Sequence, residues 1–264
     1  MPNGEVKRIT VDRLKIEIHQ DTASAGKAAA QATARAIQEL KQKNERVAVI
    51  FATGASQQAT LSALIARADV PWKEMEGFHL DEYVGISENH PASFRRYLRE
   101  RLTQRVPVGK FFEIQGNAPD LEMICSQYAQ HLQAAQPQLC LLGIGENGHL
   151  AFNDPAEANF GDPLDVKIVG LDTECRQQQV AEGWFSGLEE VPSQAITVTI
   201  PALMRVPRLI VSVPGPRKAR VMRRTVEEVL STACPATILR HHPDVTVYLD
   251  RDSAAELETP PLAR

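Results

Sequence analysis

The sequence predicts an α/β fold, doubly wound around a mostly parallel sheet with helices on both faces, Rossmann-like in plan. Short apolar segments of strand length alternate with longer helical patterns from one end of the chain to the other. No linker, repeat or low-complexity stretch interrupts them, so the 264 residues are expected to form one domain, 1–264. Polar, small-residue turns follow the strands on one rim, which is where open α/β sheets take their ligands.

Leu14 to His19 alternates with period two and reads as a strand with one wet face near an edge. Asp21 or Thr22 caps an alanine-rich helix that runs to about Asn44. Arg46 to Ala52 is the first central strand, ending in Thr53-Gly54-Ala55-Ser56 before a helix from Gln57 to about Arg67. Met75 to Leu80 is the next strand and runs into Asp81-Glu82-Tyr83-Val84-Gly85. Ser93 to Leu102 is helical, Phe111 to Ile114 a short strand, and Asp120 to Ala134 an amphipathic helix. Leu139 to Leu142, too short for a lone helix, reads as a buried strand. Val166 to Leu171 and Gln194 to Ile200 are strands on either side of a helix from Glu174 to Phe185. Arg208 to Val213 is a strand, followed by Pro214-Gly215-Pro216-Arg217-Lys218 and a helix to about Leu230, with Pro216 suited to a first turn. Val245 to Asp250 is the last strand.

Composition narrows the function. Hydrophobic residues make up 43% and charged residues 23%, the balance of a soluble globular chain. A formal charge of −4 and a pI near 6.0 give no reason to expect nucleic acid. No apolar run is long enough to cross a membrane, and Met1 to Arg8 lacks the apolar core of a signal peptide. Cys125, Cys140, Cys175 and Cys234 show no C-x-x-C pairing, so free thiols in a reducing, cytoplasmic setting are expected, with no metal site. The basic cluster from Arg217 to Arg224 falls at helical spacing and reads as a solvated face, Lys218 apart.

The run Gly143-Ile144-Gly145-Glu146-Asn147-Gly148 matches G-x-G-x-x-G after a strand, and Asp172 follows at about the spacing of a ribose-binding acid. A dinucleotide site needs its third glycine to open a crossover helix. Here His149-Leu150-Ala151-Phe152-Asn153-Asp154-Pro155 follows, with Pro163 soon after. The prolines leave little room for that helix, and the dinucleotide reading is rejected. What remains is a loop at a strand end that carries a histidine, amides and carboxylates.

Thr53, Gly54, Ala55 and Ser56, between a strand and a helix start, form a candidate anion site, since free N–H groups and the helix dipole point at such a loop. The plainer alternative is a βα turn with Ser56 as N-cap. Asp81 and Glu82, adjacent acids at a strand's carboxyl end, point to chemistry, against the alternative of solvated loop acids.

Phe78 to Gly85, Gly143 to Pro155 and Val245 to Asp250 together resemble the glucosamine-6-phosphate deaminases. That group also contains the 6-phosphogluconolactonases, which have a similar loop. Ala151-Phe152-Asn153-Asp154-Pro155 and Asp81-Glu82-Tyr83 are similar to the aminosugar branch. The resemblance covers nearly the whole chain. It implies conversion of glucosamine 6-phosphate and water to fructose 6-phosphate and ammonia, with no organic cofactor.

Carried over by motif, Asp81 is the base that moves a proton between C2 and C1, and His149 opens the pyranose ring. Asn147 and Asp154 orient that histidine. Lys218, Glu82 and the Thr53 to Ser56 loop hold the substrate, Lys218 and the loop at its phosphate. The sequence departs from the family's pattern at Asn147, Asp154 and Ala55, and it lacks the phosphate-binding arginine expected near Ala181 to Trp184. Arg176 is the candidate substitute. The resemblance leaves two other functions open, a 6-phosphogluconolactonase using His149 to activate water, and a sugar-phosphate sensor without turnover. The expected partner is a small phosphosugar, and a homo-oligomer is left open. The chain stops at Arg264, so the longer tail of allosteric deaminases is not expected.

Overall fold

The computed structural model describes residues 6–257. The readings of the first five residues and of the C-terminal stop at Arg264 lie outside that range. Eight strands form the main sheet: β1 (Lys7–Val11), β2 (Leu14–Ile18), β3 (Val47–Phe51), β4 (Met75–His79), β6 (Lys110–Phe112), β7 (Leu139–Leu142), β10 (Arg208–Ser212) and β11 (Val245–Leu249). Their order is β1-β2-β11-β10-β7-β3-β4-β6, parallel throughout except for the β1–β2 hairpin at one edge.

The sheet is covered on both faces because its central strands are apolar on both. Val47, Val49 and Phe51 of β3 pack with Leu139 and Leu141 of β7 in one core, against α1 (Thr22–Lys41) and α2 (Gln58–Ile65). Ala48, Ile50, Cys140 and Leu142 belong to the core on the other face, with α4 (Leu121–Ala135) and α7 (Ala219–Glu227). Period-two alternation sends successive side chains to opposite faces, so a fully apolar strand marks a doubly covered sheet. Asp21 caps α1 by accepting from the Ser24 N–H at 2.7 Å, and Asp120 caps α4 from Met123 at 2.9 Å. No helix among the described residues is long and apolar enough to cross a membrane.

The predicted elements recur with four corrections. β1 is a strand the sequence reading passed over, because its charged residues mask an edge strand. The second correction is larger. β5 (Asp81–Tyr83), β8 (Val166–Gly170) and β9 (Gln194–Val198) form a separate antiparallel sheet in the order β5-β9-β8. Third, the helix after β8 is shorter than predicted, with α5 ending at Ala181 (Thr173–Ala181). Fourth, the predicted strand to Ile200 stops at Val198, where Thr199 and Pro201 start a further short helix, α6 (Ile200–Met204). The remaining helix, α3 (Phe94–Leu98), is capped by Ser93 as its position suggests, and continues as a wider turn over Arg99–Thr103.

Strand order fixes where a ligand can sit. From β3 the chain winds one way to β4, and from β7 it moves the other way to β10 and β11. The carboxyl ends of β3 and β7 therefore flank a topological switch point, where side chains of neighbouring turns leave a crevice.

Candidate active site

A cleft opens at that switch point, enclosing about 590 Å³ with its open mouth. Four adjacent strands, β10, β7, β3 and β4, deliver its residues from their carboxyl ends. Thr53, Gly54, Ala55 and Ser56 follow β3, Asp81 follows β4, Gly143, Gly145 and His149 follow β7, and Lys218 follows β10. Gly54 and Gly215 hold matching positions, with φ of 89° and 92°, each opening a short 3-10 turn before a helix. That left-handed backbone is where a side chain is disfavoured. The two turns bring two helix starts to one cleft, a favourable place for an anion.

The small sheet positions the catalytic candidates. The chain leaves the main sheet at Leu80, whose carbonyl accepts from Val198, and Asp81 then pairs with Thr197 of β9. Thr197 also holds the motif loop, its Oγ1 accepting from the Phe152 N–H at 3.1 Å. Asn153 adds bonds from its amide to the carbonyls of Leu150 at 2.8 Å and Val198 at 2.9 Å. One strand thus fixes Asp81 and the histidine loop relative to each other.

His149 Nδ1 lies 2.8 Å from Asp154 Oδ1. Asn147 donates to the same carboxylate at 3.1 Å, and its own Oδ1 accepts from the His149 N–H at 3.0 Å. Asp154 is fully buried, which pushes its carboxyl up, but His149, the Asn147 amide and the Cys175 thiol together hold it below its ordinary value. The pair leaves Nε2 of the ring for the cleft. Gly145 lies directly under that ring, where an added Cβ would come 2.2 Å from Nε2. Ala151 sits beside it in the left-handed region at φ 52°, an uncommon backbone for a residue with a side chain. Asp81 is almost wholly buried, and burial followed by the charge of Glu82 raises its pKa well above the ordinary carboxylate value. Lys218 is also buried. Burial lowers its pKa, opposed by the nearby carboxylates of Glu182 and Glu146.

Three readings of the sequence are corrected here. Glu82 does not face the cleft, because it is the middle residue of β5 and alternation turns it away from Asp81. Its carboxylate caps α3, accepting from the N–H groups of Phe94 at 3.1 Å and Arg95 at 2.9 Å and from Ser93 Oγ at 2.9 Å. The Arg95 guanidinium, itself buried, lies 3.3 Å away. Arg176 does not replace the missing arginine. It points out of the cleft and donates to the carbonyls of Leu188 and Val191. The alternative of Ser56 as N-cap also falls, since no side chain caps either helical segment there.

Other residues of the site were not foreseen. Gln178, Gln179 and Glu182 of α5 and its end line the cleft. Glu182 stands three and four residues after Gln179 and Gln178, which puts the three on one helical face, a signal present in the sequence but indistinguishable there from a solvated face. Asp250, at the end of β11, accepts from the Gly215 N–H at 2.9 Å and Thr22 Oγ1 at 2.6 Å, and so pins the turn that carries Lys218. Gln57 donates to the Leu142 carbonyl at 3.0 Å and ties the β3 turn to the end of β7.

His149, Asp154 and Cys175 offer donor atoms within 4.8 Å of one another, the one such cluster among the described residues. Burial pushes the Cys175 thiol far up, and an ion there would occupy the acid–base pair itself. The four cysteines are free and buried.

Residues 20–248 match the family of glucosamine-6-phosphate isomerases and 6-phosphogluconolactonases. The chain belongs to this family. A glucosamine-6-phosphate deaminase from Listeria monocytogenes serotype 4a is 34% identical over 207 residues, 78% of this chain and 86% of the relative. One from Shouchella clausii is 34% identical over 222 residues, covering 81% and 87%. A solved structure of a monomeric glucosamine-6-phosphate deaminase superposes with a TM-score of 0.84 at 30% identity, covering 91% of this chain and 99% of that one. A 6-phosphogluconolactonase from Thermotoga maritima, at 18% identity and a TM-score of 0.73 over 89% of this chain and 98% of that one, shares the fold. Within the family, this cleft combines the His149–Asp154 pair with a buried carboxylate at Asp81 and a lysine at Lys218.

Proposed function

We propose that the protein is an aminosugar-phosphate deaminase that converts glucosamine 6-phosphate and water to fructose 6-phosphate and ammonia. The observation that supports this reading most strongly is Asp81, a buried carboxylate of raised proton affinity that shares a cleft with the His149–Asp154 pair. Lactone hydrolysis moves no carbon-bound proton and has no use for such a base.

Each residue has a task in the reaction. His149 exchanges a proton with the ring oxygen as the C1–O5 bond breaks, giving the open-chain aldehyde. Asp154 holds the ring and favours the imidazolium form, as carboxylates do in other His–acid pairs. The aldehyde makes the C2 hydrogen acidic, and Asp81 takes that proton and returns it to C1. A raised proton affinity makes a carboxylate a stronger base for this step. As O1 gains a proton and the amino nitrogen gives one up, C1 becomes a hydroxymethyl carbon and C2 an imine, which water hydrolyses to the ketone with release of ammonia. Lys218 and the Thr53 to Ser56 turn hold the phosphate, by charge and by helix-start N–H groups.

Asp81→Asn keeps the shape and removes the base. It is expected to abolish ammonia release and the washout of deuterium from C2 together. The reading is overturned by wild-type protein that opens a gluconolactone phosphate rapidly yet exchanges no C2 hydrogen of an aminosugar phosphate.

A further inference from the structure

Lys218 is the only lysine or arginine among the described residues lining the cleft, and it shares that cleft with a second carboxylate, Glu182. Glu182 is held in place. Its Oε1 accepts from Gln178 Nε2 at 2.8 Å and its Oε2 from Trp184 Nε1 at 3.1 Å. Arg217, half exposed at the rim, lies 3.9 Å from Glu182 and 3.2 Å from Glu146, so its charge is divided between two carboxylates. Glu182 and Glu146 also act on Lys218, holding its proton on against burial. The positive charge at this end of the cleft is therefore largely balanced before any ligand arrives.

A phosphate dianion brought to Lys218 would leave that end strongly negative. Two acidic groups forced together commonly solve this by sharing one proton. A phosphate monoester is well suited, because its second pKa lies near 6, so the dianion that prevails at neutral pH takes up one proton at small cost. We propose that Glu182 couples phosphate recognition to proton uptake, the phosphosugar binding with one proton held between a phosphate oxygen and the Glu182 carboxylate. The inference rests on the phosphosugar reading above and adds the ionic form of the substrate that the cleft selects.

The groups that face Glu182 leave one competing source of protons on the phosphate side. Gln178 and Trp184 carry no titratable group, and Glu146 is paired with Arg217. Tyr83 is buried with its pKa far raised, and stays neutral. Lys218, whose pKa burial lowers, is that source, and across the cleft Asp81 and His149 are the other acid–base groups. Uptake by any of these three would persist when Glu182 is made neutral.

The test is titration calorimetry with 1,5-anhydroglucitol 6-phosphate, which cannot ring-open, at pH 6, 7 and 8 in buffers of differing ionisation enthalpy. At pH 8 the wild-type protein is expected to take up close to one proton per ligand. Its Kd should weaken about tenfold from pH 7 to 8, the slope of a one-proton linkage. Glu182→Gln keeps the amide-sized side chain between Gln178 and Trp184. It should bind without uptake and about tenfold more tightly than wild type at pH 8. Wild-type binding at pH 8 with no proton uptake overturns the proposal without depending on any variant. Uptake that persists in a folded E182Q, judged by its melting curve, assigns the proton elsewhere and also overturns it. Ammonia release from glucosamine 6-phosphate in either case leaves the deaminase reading standing. Failure to bind the phosphosugar at any pH removes both.

Discussion

At the scale of single residues, the cleft separates groups that do chemistry from groups that only border it. Lys218→Ala is expected to raise KM for a phosphosugar by about 1.5–3 kcal/mol, the worth of a hydrogen bond to a charged group. Melting temperature should move little, because the ammonium faces the cleft, and steady-state kinetics with a thermal scan checks both. His149→Gln should cost roughly a hundredfold or more on a closed-ring substrate. The loss should be much smaller on an open-chain analogue, and equal losses would place His149 after ring opening. Asp81 sets the pH profile. As a base it acts ionised, so activity falls as pH falls through its pKa, which burial and Glu82 have raised. The acid limb of kcat/KM should therefore lie above the ordinary carboxylate range.

At the scale of elements, the site depends on two supports that touch no substrate. The first is the turn from Gly145 to Gly148, which places His149. Gly145→Ala would set a methyl group against the imidazole, 2.2 Å from its nearest atoms. We expect kcat to fall at least tenfold, roughly the cost of misplacing a catalytic group, with little change in the urea unfolding midpoint. The second is the buried Glu82–Arg95 pair between β5 and α3. Glu82→Ala leaves the Arg95 guanidinium buried without its carboxylate and removes the acceptor of the Phe94 and Arg95 N–H groups at the start of α3. Breaking such a pair costs about 3–5 kcal/mol, which equilibrium unfolding would register as a large loss of stability. A small change would return Glu82 to the role of a loop acid. Sequence showed these two acids as a unit, while the alternation of β5 turns one to the cleft and the other to α3.

For the molecule as a whole, pH acts on stability through groups buried in one protonation state. His79 is fully buried beside Arg95, and burial first, then that charge, lowers its pKa from 6.5 to about 3. Between those values the unfolded chain binds a proton that the folded protein does not. Stability therefore falls as pH drops below 6.5, by roughly 1.36 kcal/mol per unit for this group, and the loss levels off near pH 3. Urea midpoints measured from pH 7 to 4 should show that slope. His79→Gln, whose side-chain oxygen can accept from the Ile114 N–H as the imidazole does at 3.4 Å, should reduce it by about one proton. An unchanged slope would place the titrating group elsewhere.

The sequence by itself determined the strands and helices that cover both faces of the main sheet, because apolar periodicity is local and survives without tertiary contacts. It also determined the histidine loop, the acid at the end of β4 and the lysine after β10, since each sits at a strand end where the backbone must turn. Only the tertiary structure decided which sheet a strand joins. β8 and β9 look like members of one series with the rest, yet they pair with each other and with β5, and the β5–β9 pairing joins residues more than a hundred positions apart, such as Asp81 and Thr197. It likewise decided that Glu82 turns inward, that Arg176 holds a loop, that Asp250 pins the lysine turn, and that the α5 row of Gln178, Gln179 and Glu182 faces the cleft. A helix carries its face in the sequence, but which neighbour that face meets depends on docking. Docking is fixed by the packing of the whole chain.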